Sequence, residues 1–179
     1  MIVEEAQREV RTVYLGGFPG SIVSGLLWLV SAALATGVSP AHGIVALAAG
    51  GVFIFPATQL LLKAMGRRAS LDRANPLRHL AIQIAFTVPL GLPLVGAATL
   101  YRLEWFYPAF AIVVGAHYLP FTFLYGMRHF AALAAILVTT GLAIGLYLPG
   151  SFSAAGWLVG ATLVAFALLG RSAALRRNG

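Results

Sequence analysis

Six long apolar stretches follow one another along the chain, and short segments rich in charged and turn-forming residues separate them. Each stretch is close to the roughly 20 residues that a helix needs to cross the hydrocarbon core of a membrane. The pattern predicts an all-α fold, a polytopic transmembrane helical bundle that forms one membrane domain over residues 1–179. The predicted spans are residues 15–36, 43–62, 77–100, 105–126, 130–148 and 154–170.

Polar patterning also marks the two ends of the chain. In residues 1–14, apolar side chains recur at helical spacing and charged side chains occupy the opposite face, which predicts a short amphipathic helix at the membrane surface. Residues 171–179 form a basic tail.

Basic residues are distributed unequally between alternate connections. Eleven of the twelve Lys and Arg residues fall in the N-terminal segment, the connections between spans 2 and 3 and between spans 4 and 5, and the tail. Only Arg102 falls in the opposite set. Because basic connections stay inside, this asymmetry predicts that both termini are cytoplasmic. An odd number of spans would place the basic tail outside, so the charges also favour an even number.

Composition narrows the function classes. Hydrophobic residues make up 60% of the chain and charged residues 9%, which leaves no room for a separate soluble domain. The net charge of +7 is explained by basic residues beside spans, without the interleaved aromatic residues of an RNA-binding surface. We therefore expect membrane lipids as partners and no nucleic acid. The lack of cysteine excludes thiolate chemistry and Cys-ligated metal, and we expect no metal and no cofactor.

None of the five acidic residues lies inside a predicted span. Proton- or sodium-coupled transporters usually keep a carboxylate at membrane depth, and hydrolases with paired carboxylates need two acids in one cavity. Neither class is indicated. His117 is the one ionisable side chain near the middle of a span. Two interpretations of His117 stay open, a neutral imidazole that bonds one helix to another and a functional group in a pocket.

Prolines in spans 1 to 4 predict interrupted helices around a cytoplasm-facing pocket, because irregular backbone at membrane depth needs protein or water beside it. A shared spacing supports this, since Gly51-x4-Pro56-x-Thr58 in span 2 matches Gly115-x4-Pro120-x-Thr122 in span 4. Whether it marks a true repeat is open. The pocket candidates are Thr58, Gln59, Gln83, His117, Tyr118 and Thr122.

A second candidate site is cationic. Basic residues between spans 2 and 3, together with an asparagine, could hold lipid headgroups or phosphate, although membrane topology alone explains such a cluster. Asn75 and Pro76 also have the pattern of a helix start, with Asn75 as the cap. The headgroup candidates are Arg67, Arg68, Arg73, Asn75 and Arg78.

Two motifs carry a resemblance. Asn75-Pro76-Leu77 at the start of span 3, and Gly115-Ala116-His117-Tyr118-Leu119-Pro120 with Tyr125 in span 4, resemble a bacterial family of small six-span membrane proteins of unknown function. The resemblance implies this architecture and a location in the bacterial inner membrane. It implies no activity.

The sequence leaves three functions open and favours a protein that is not an enzyme. The first is a small permease-like or ligand-binding protein for a neutral solute or lipid, with a pocket among spans 1 to 4. The second is a membrane enzyme that acts on a lipid or isoprenoid substrate, with His117 as acid or base. The third is a non-catalytic partner or assembly subunit, including a homo-oligomer formed through the small-residue faces of spans 5 and 6.

Overall fold

The described part of the chain is entirely helical outside its turns and connections. The computed structural model describes residues 2–67, 70–148 and 150–178, with only the backbone described for 172–178. Short 3₁₀ turns at Leu15–Gly17 and Leu103–Trp105 precede α2 and α6. The helices are α1 (Val3–Val13), α2 (Phe18–Gly37), α3 (Pro40–Gly51), α4 (Ile54–Ala64), α5 (Leu77–Tyr101), α6 (Phe106–Tyr118), α7 (Phe121–Leu124), α8 (His129–Tyr147) and α9 (Ala154–Asn178).

Among the described residues, five helical segments are long and apolar enough to cross a membrane. The helices α3 and α4 make a sixth if this pair, bent by 59°, counts as one span. These lengths and compositions are those of a multi-pass membrane protein. The helix α9 continues to Asn178, so the segment predicted as a basic tail extends the last helix. The five segments are Leu15–Gly37, Leu77–Tyr101, Leu103–Leu124, His129–Tyr147 and Ala154–Arg171.

The bent pair α3–α4 lies antiparallel to α2 along most of its length. Contacts move steadily toward the beginning of α2 as the chain passes through α3 and then α4. The bend therefore does not return the chain to the side from which it entered. The contacting pairs are Gly43 with Ala35, Gly50 with Leu27, and Thr58 with Gly20.

Two helix pairs form the centre of the bundle, α2 with α9 and α6 with α8. A Cβ built on Gly25 of α2 would lie 3.0 Å from the backbone nitrogen of Val164 on α9, so these backbones are in close contact. The glycine-rich faces of α8 and α9 meet α6 and α2 in the same way. Because these faces are packed inside the bundle, a homo-oligomer formed through them would require the helices to separate. The glycines concerned are Gly141 and Gly145 on α8, and Gly156 and Gly160 on α9.

A buried hydrogen-bonded group joins three helices near the far end of α2. The hydroxyl of Ser31 on α2 donates to the carbonyl oxygen of Gly43 on α3 at 2.7 Å. Its oxygen lies 2.5 Å from the hydroxyl of Tyr107 on α6, which therefore donates to it. The ring of Trp28 packs on Tyr107 and Phe110. The hydroxyls of Ser31 and Tyr107 therefore have their hydrogen-bond partners within the protein.

The amphipathic segment at the N-terminus packs on the protein. Ala6 and Val10 of α1 are fully buried, at the end of the bundle where α2 begins and α9 ends. Gly16 and Gly17 have φ angles of 63° and 85°, which side-chain-bearing residues rarely adopt, and this allows the sharp turn from α1 into α2. The Arg171 guanidinium lies 5.4 Å from the centre of the Phe18 ring, so the two ends of the spanning region are neighbours.

The prolines interrupt only two of the four helices where the sequence predicts breaks. Span 2 is divided between α3 and α4, shortly before Pro56, and span 4 is divided at Pro120. The helix α5 continues through Pro89 and Pro93, and Pro19 lies in the first turn of α2, where its missing N–H removes no helical bond. The prediction of interrupted helices was therefore wrong for spans 1 and 3.

Candidate functional site

Two half-buried threonines follow the two breaks in the spans. Thr58 lies in α4, and its side chain contacts Gly20 at the start of α2. Thr122 lies in α7, one turn after Tyr118, whose hydroxyl interacts with Ser21 on α2. The hydroxyl oxygens of Thr58 and Thr122 are buried and have no hydrogen-bond partner in the described part of the chain. The structure thus places an unsatisfied hydroxyl just after each break.

These hydroxyls are unusual because buried polar atoms in native proteins nearly always have a partner. Two other threonines in the spans show the usual arrangement. Thr139 on α8 and Thr99 on α5 each donate to a carbonyl of their own helix at 2.7 Å. Membrane helices commonly satisfy threonine in this way. Thr58 and Thr122 therefore differ from threonines in similar helices, and this difference makes them the centre of the candidate site.

His117 bonds α6 to α5. Its Nδ1 lies 3.0 Å from the carbonyl oxygen of Ile84 and 2.8 Å from the Thr87 hydroxyl oxygen. Because a carbonyl only accepts, Nδ1 carries the hydrogen in the neutral ring, which leaves Nε2 as an acceptor. The Thr87 hydroxyl donates to Ile84 at 2.7 Å, so its oxygen can accept from Nδ1. Nε2 has no hydrogen bond to any side chain or backbone that the structure describes.

The other pocket candidates have different surroundings. Tyr118 is buried, and its ring contacts His117 and Phe121. Gln83 is exposed on α5 and Gln59 is half-buried on α4. Neither amide has a hydrogen bond within residues 2–67, 70–148 and 150–178. The candidates are thus divided between α4, α5 and the α6–α7 break, and the structure gives no contact that joins Gln59 or Gln83 to His117.

The headgroup candidates do not form one cluster of free cationic groups. Asn75, one of these candidates, is 2% exposed, and its side chain is hydrogen-bonded within the protein. Its amide donates to Glu9 Oε2 at 2.8 Å and to the Ala6 carbonyl at 3.2 Å. Its Oδ1 accepts from the backbone N–H of Leu77, the first residue of α5, at 2.8 Å, although the residue at the N-cap position is Pro76 and not Asn75. Arg67, Arg73 and Arg78 are exposed, and Arg68 lies outside the described residues.

Sequence reasoning missed the polar contacts that attach α1 to the bundle. Glu9 Oε1 accepts from the Asp72 backbone at 2.6 Å. Gln7 and Arg11 donate to the carbonyls of Phe123 and Tyr125, each at 2.6 Å. These contacts join α1 to the connection before α5 and to the end of the broken span 4. The charged face of α1, which includes Glu9, was the one sign in the sequence that this helix makes polar contacts. Helical periodicity could not show which distant residues are its partners.

Tyr14 lies at the junction of α1 and the 3₁₀ turn. Burial raises the pKa of its hydroxyl, the nearby Glu9 carboxylate raises it further, and Arg78 lowers it. The hydroxyl is therefore neutral at physiological pH. In the described part of the chain, no three His, Asp or Glu side chains come together in a group that could hold a metal ion.

Comparison with known proteins identifies a family without an activity. No curated protein and no solved structure matches the chain. Residues 3–172 match a family of unknown function, DUF7010. This match covers α1, all the apolar helices and both breaks. The chain therefore belongs to the DUF7010 family of unknown function.

Proposed function

We propose that this protein is a six-span protein of a bacterial inner membrane, with cytoplasmic termini, that binds a neutral solute or a lipid in a permease-like or ligand-binding role. The site lies among spans 1 to 4, beside the two breaks. The antiparallel course of α3–α4 along α2 supports six spans. The placement of eleven of twelve basic residues supports the orientation.

The observation that carries this proposal is the pair of unsatisfied hydroxyls at Thr58 and Thr122. A buried hydroxyl without a partner costs about 1–3 kcal/mol, and a bound molecule that hydrogen-bonds to it removes this cost. Each threonine belongs to a short segment that follows a break, α4 or α7. Broken helices form the binding sites of many transporters, because the interrupted helix ends present backbone polar groups to the substrate. A ligand reaches the hydroxyls when these segments shift.

The chemistry of the ligand follows from the groups available. Threonine hydroxyls donate and accept, and Nε2 of His117 adds an acceptor at the same break as Thr122. No Lys, Arg, Asp or Glu residue lies in the central part of spans 1 to 4. A charged ligand would have no counter-ion there, so we propose a neutral one. An uncoupled facilitator suits this set better than an ion-driven pump.

The two alternatives are less well supported. An enzyme could use Nε2 of His117 as a base, but the described hydrogen bonds of His117 are to Thr87 and Ile84 and include no carboxylate. For an assembly subunit, the small-residue faces of α8 and α9 that suggested this role are occupied by α6 and α2.

The test is native mass spectrometry of the protein in lipid nanodiscs, with a variant that combines Thr58→Val and Thr122→Val. Valine keeps the shape and removes the hydroxyl. We expect a bound small molecule or lipid on the wild-type protein, lost from the double variant. The matched control, Thr139→Val, removes a hydroxyl that bonds to its own helix and should keep the bound species. Retention of the same species by the double variant would contradict the proposal.

A further inference from the structure

A half-open cleft lies at the end of the bundle that carries both termini. It has a volume of about 270 Å³ and separates the end of α1 from the turn that follows α4. Its lining residues are Thr12, Val13, Gly66 and Arg67. Drug-sized ligands usually occupy cavities of roughly 300–1,000 Å³, so this volume suits a smaller group such as a lipid headgroup. The cleft is separate from the site proposed at the breaks.

Local backbone geometry holds Arg67 at the edge of the cleft. Gly66 ends α4 with a φ angle of 70°, and the Arg67 backbone donates to the Leu62 carbonyl at 3.0 Å. This is the 6→1 bond of a common helix-ending motif. The Arg67 side chain is exposed and has no hydrogen bond or ion pair with a residue that the structure describes. The guanidinium is therefore available to a ligand.

The carboxylate of Glu9, one turn before Val13 on α1, already has its hydrogen-bond partners. Both oxygens of Glu9 accept hydrogen bonds, one from the Asp72 backbone and one from the Asn75 amide. The salt bridge found in the described chain joins Arg102 and Glu104, in the connection between α5 and α6. Arg67 is the one charged residue among the described residues that line the cleft, which favours an anion.

We propose that this cleft binds the headgroup of an anionic phospholipid, with its phosphate on Arg67. A guanidinium presents paired donors that match phosphate oxygens. The cleft lies just before α2 enters its apolar stretch at Phe18, which is the level of the headgroups in the proposed topology. Val13 supplies an apolar wall beside the lipid's glycerol region, which a free phosphate would not use. The occupant is therefore a lipid of the cytoplasmic leaflet.

The experiment measures binding of a short-chain phosphatidylglycerol to the detergent-solubilised full chain by native mass spectrometry. Arg67→Gln should weaken binding about tenfold, the effect of losing one charge-assisted hydrogen bond. Arg67→Lys should lie between this variant and the wild-type protein, since it keeps the charge without the paired donors. The matched control, Arg73→Gln, removes an exposed charge in the same connection and should change binding less than about twofold.

Two results would overturn the proposal. Equal losses for Arg67→Gln and Arg73→Gln would show general attraction to a basic surface. Inorganic phosphate that competes as strongly as the short-chain lipid would show a site for a free anion. Thermal unfolding of each variant identifies losses caused by misfolding, and Arg67→Lys keeps the test valid if Arg67→Gln fails to fold.

Discussion

Nδ1 of His117 on α6 donates to the carbonyl oxygen of Ile84 on α5, across 3.0 Å. The helix α5 lies at the edge of the bundle, with most of its residues exposed to the surroundings. Its other contacts with α6 are apolar, as where Gly91 meets Val113. The imidazole is therefore a polar attachment for a helix that is otherwise held by close packing.

This attachment predicts energetic coupling between His117 and Thr87, which share the Ile84 carbonyl. In a double-mutant cycle, His117→Phe and Thr87→Val should show a coupling of about 0.6 kcal/mol, and at most roughly 2. Reversible unfolding in mixed micelles measures it. The control is Thr99→Val. The Thr99 hydroxyl on α5 bonds within its own helix, so the stability changes of Thr99→Val and His117→Phe should be additive. Additivity in both cycles would show that the bond makes no net contribution.

A second prediction concerns Asn75, which joins α1 to the start of α5. Asn75→Asp preserves the shape but replaces the donor facing Glu9 Oε2 with a carboxylate. We expect a loss of about 1–3 kcal/mol at pH 8. The loss should shrink as the pH falls, because protonation of either carboxyl restores a donor between them. Thermal unfolding of both proteins, measured at pH 8 and at a series of lower pH values, tests this dependence.

The control for this prediction is a rescue. Adding Glu9→Gln to Asn75→Asp returns a donor to the pair and should recover most of the stability at pH 8. If Asn75→Asp is as stable as the wild-type protein at every pH, or if the rescue fails, the contact between α1 and α5 does not hold the two elements together.

Substitution by alanine should have opposite effects at two glycines, Gly25 at the close contact of α2 and α9, and Gly96 on an open face of α5. A Cβ on Gly25 would lie 2.9 Å from Val164 Cγ2 and 3.1 Å from the Gly160 carbonyl oxygen. Gly25→Ala should therefore separate the helices and cost about 1–3 kcal/mol. A Cβ on Gly96 would meet no described atom within 4 Å, so Gly96→Ala should be neutral or stabilise slightly. Unfolding measurements give the free energy of unfolding of both variants. Equal losses of stability would contradict the close packing at Gly25.

The spans could be predicted from the sequence because lipid imposes a minimum apolar length on every crossing. The start of α5 was predictable to within one residue, because Asn75 and Pro76 directly precede it and the Asn75 side chain accepts from the Leu77 backbone. Which of the prolines would interrupt a helix could not be predicted. Pro56 has Gly50 and Gly51 shortly before it, and their low helix propensity adds to the proline's effect. Whether a helix continues through a proline depends on packing that a single chain pattern does not show.

The candidate site was only partly predictable for a similar reason. Spacing identified Thr58 and Thr122 as matched positions, but it could not show that their hydroxyls lack partners, because this depends on which groups surround them in three dimensions. The same limit hid the role of Glu9. Its partners Asp72 and Asn75 are more than 60 residues away, and helical periodicity contains no information on such pairings.

The central claim, a ligand-accessible polar site at the two breaks, is tested most directly by cysteine accessibility. The chain contains no cysteine, so Thr58→Cys and Thr122→Cys each introduce a single thiol without background. We predict that a membrane-impermeant thiol reagent labels both from the cytoplasmic side much faster than it labels Thr139→Cys on α8. Labelling of both positions as slow as that of the Thr139→Cys control would show a dry bundle and contradict the account.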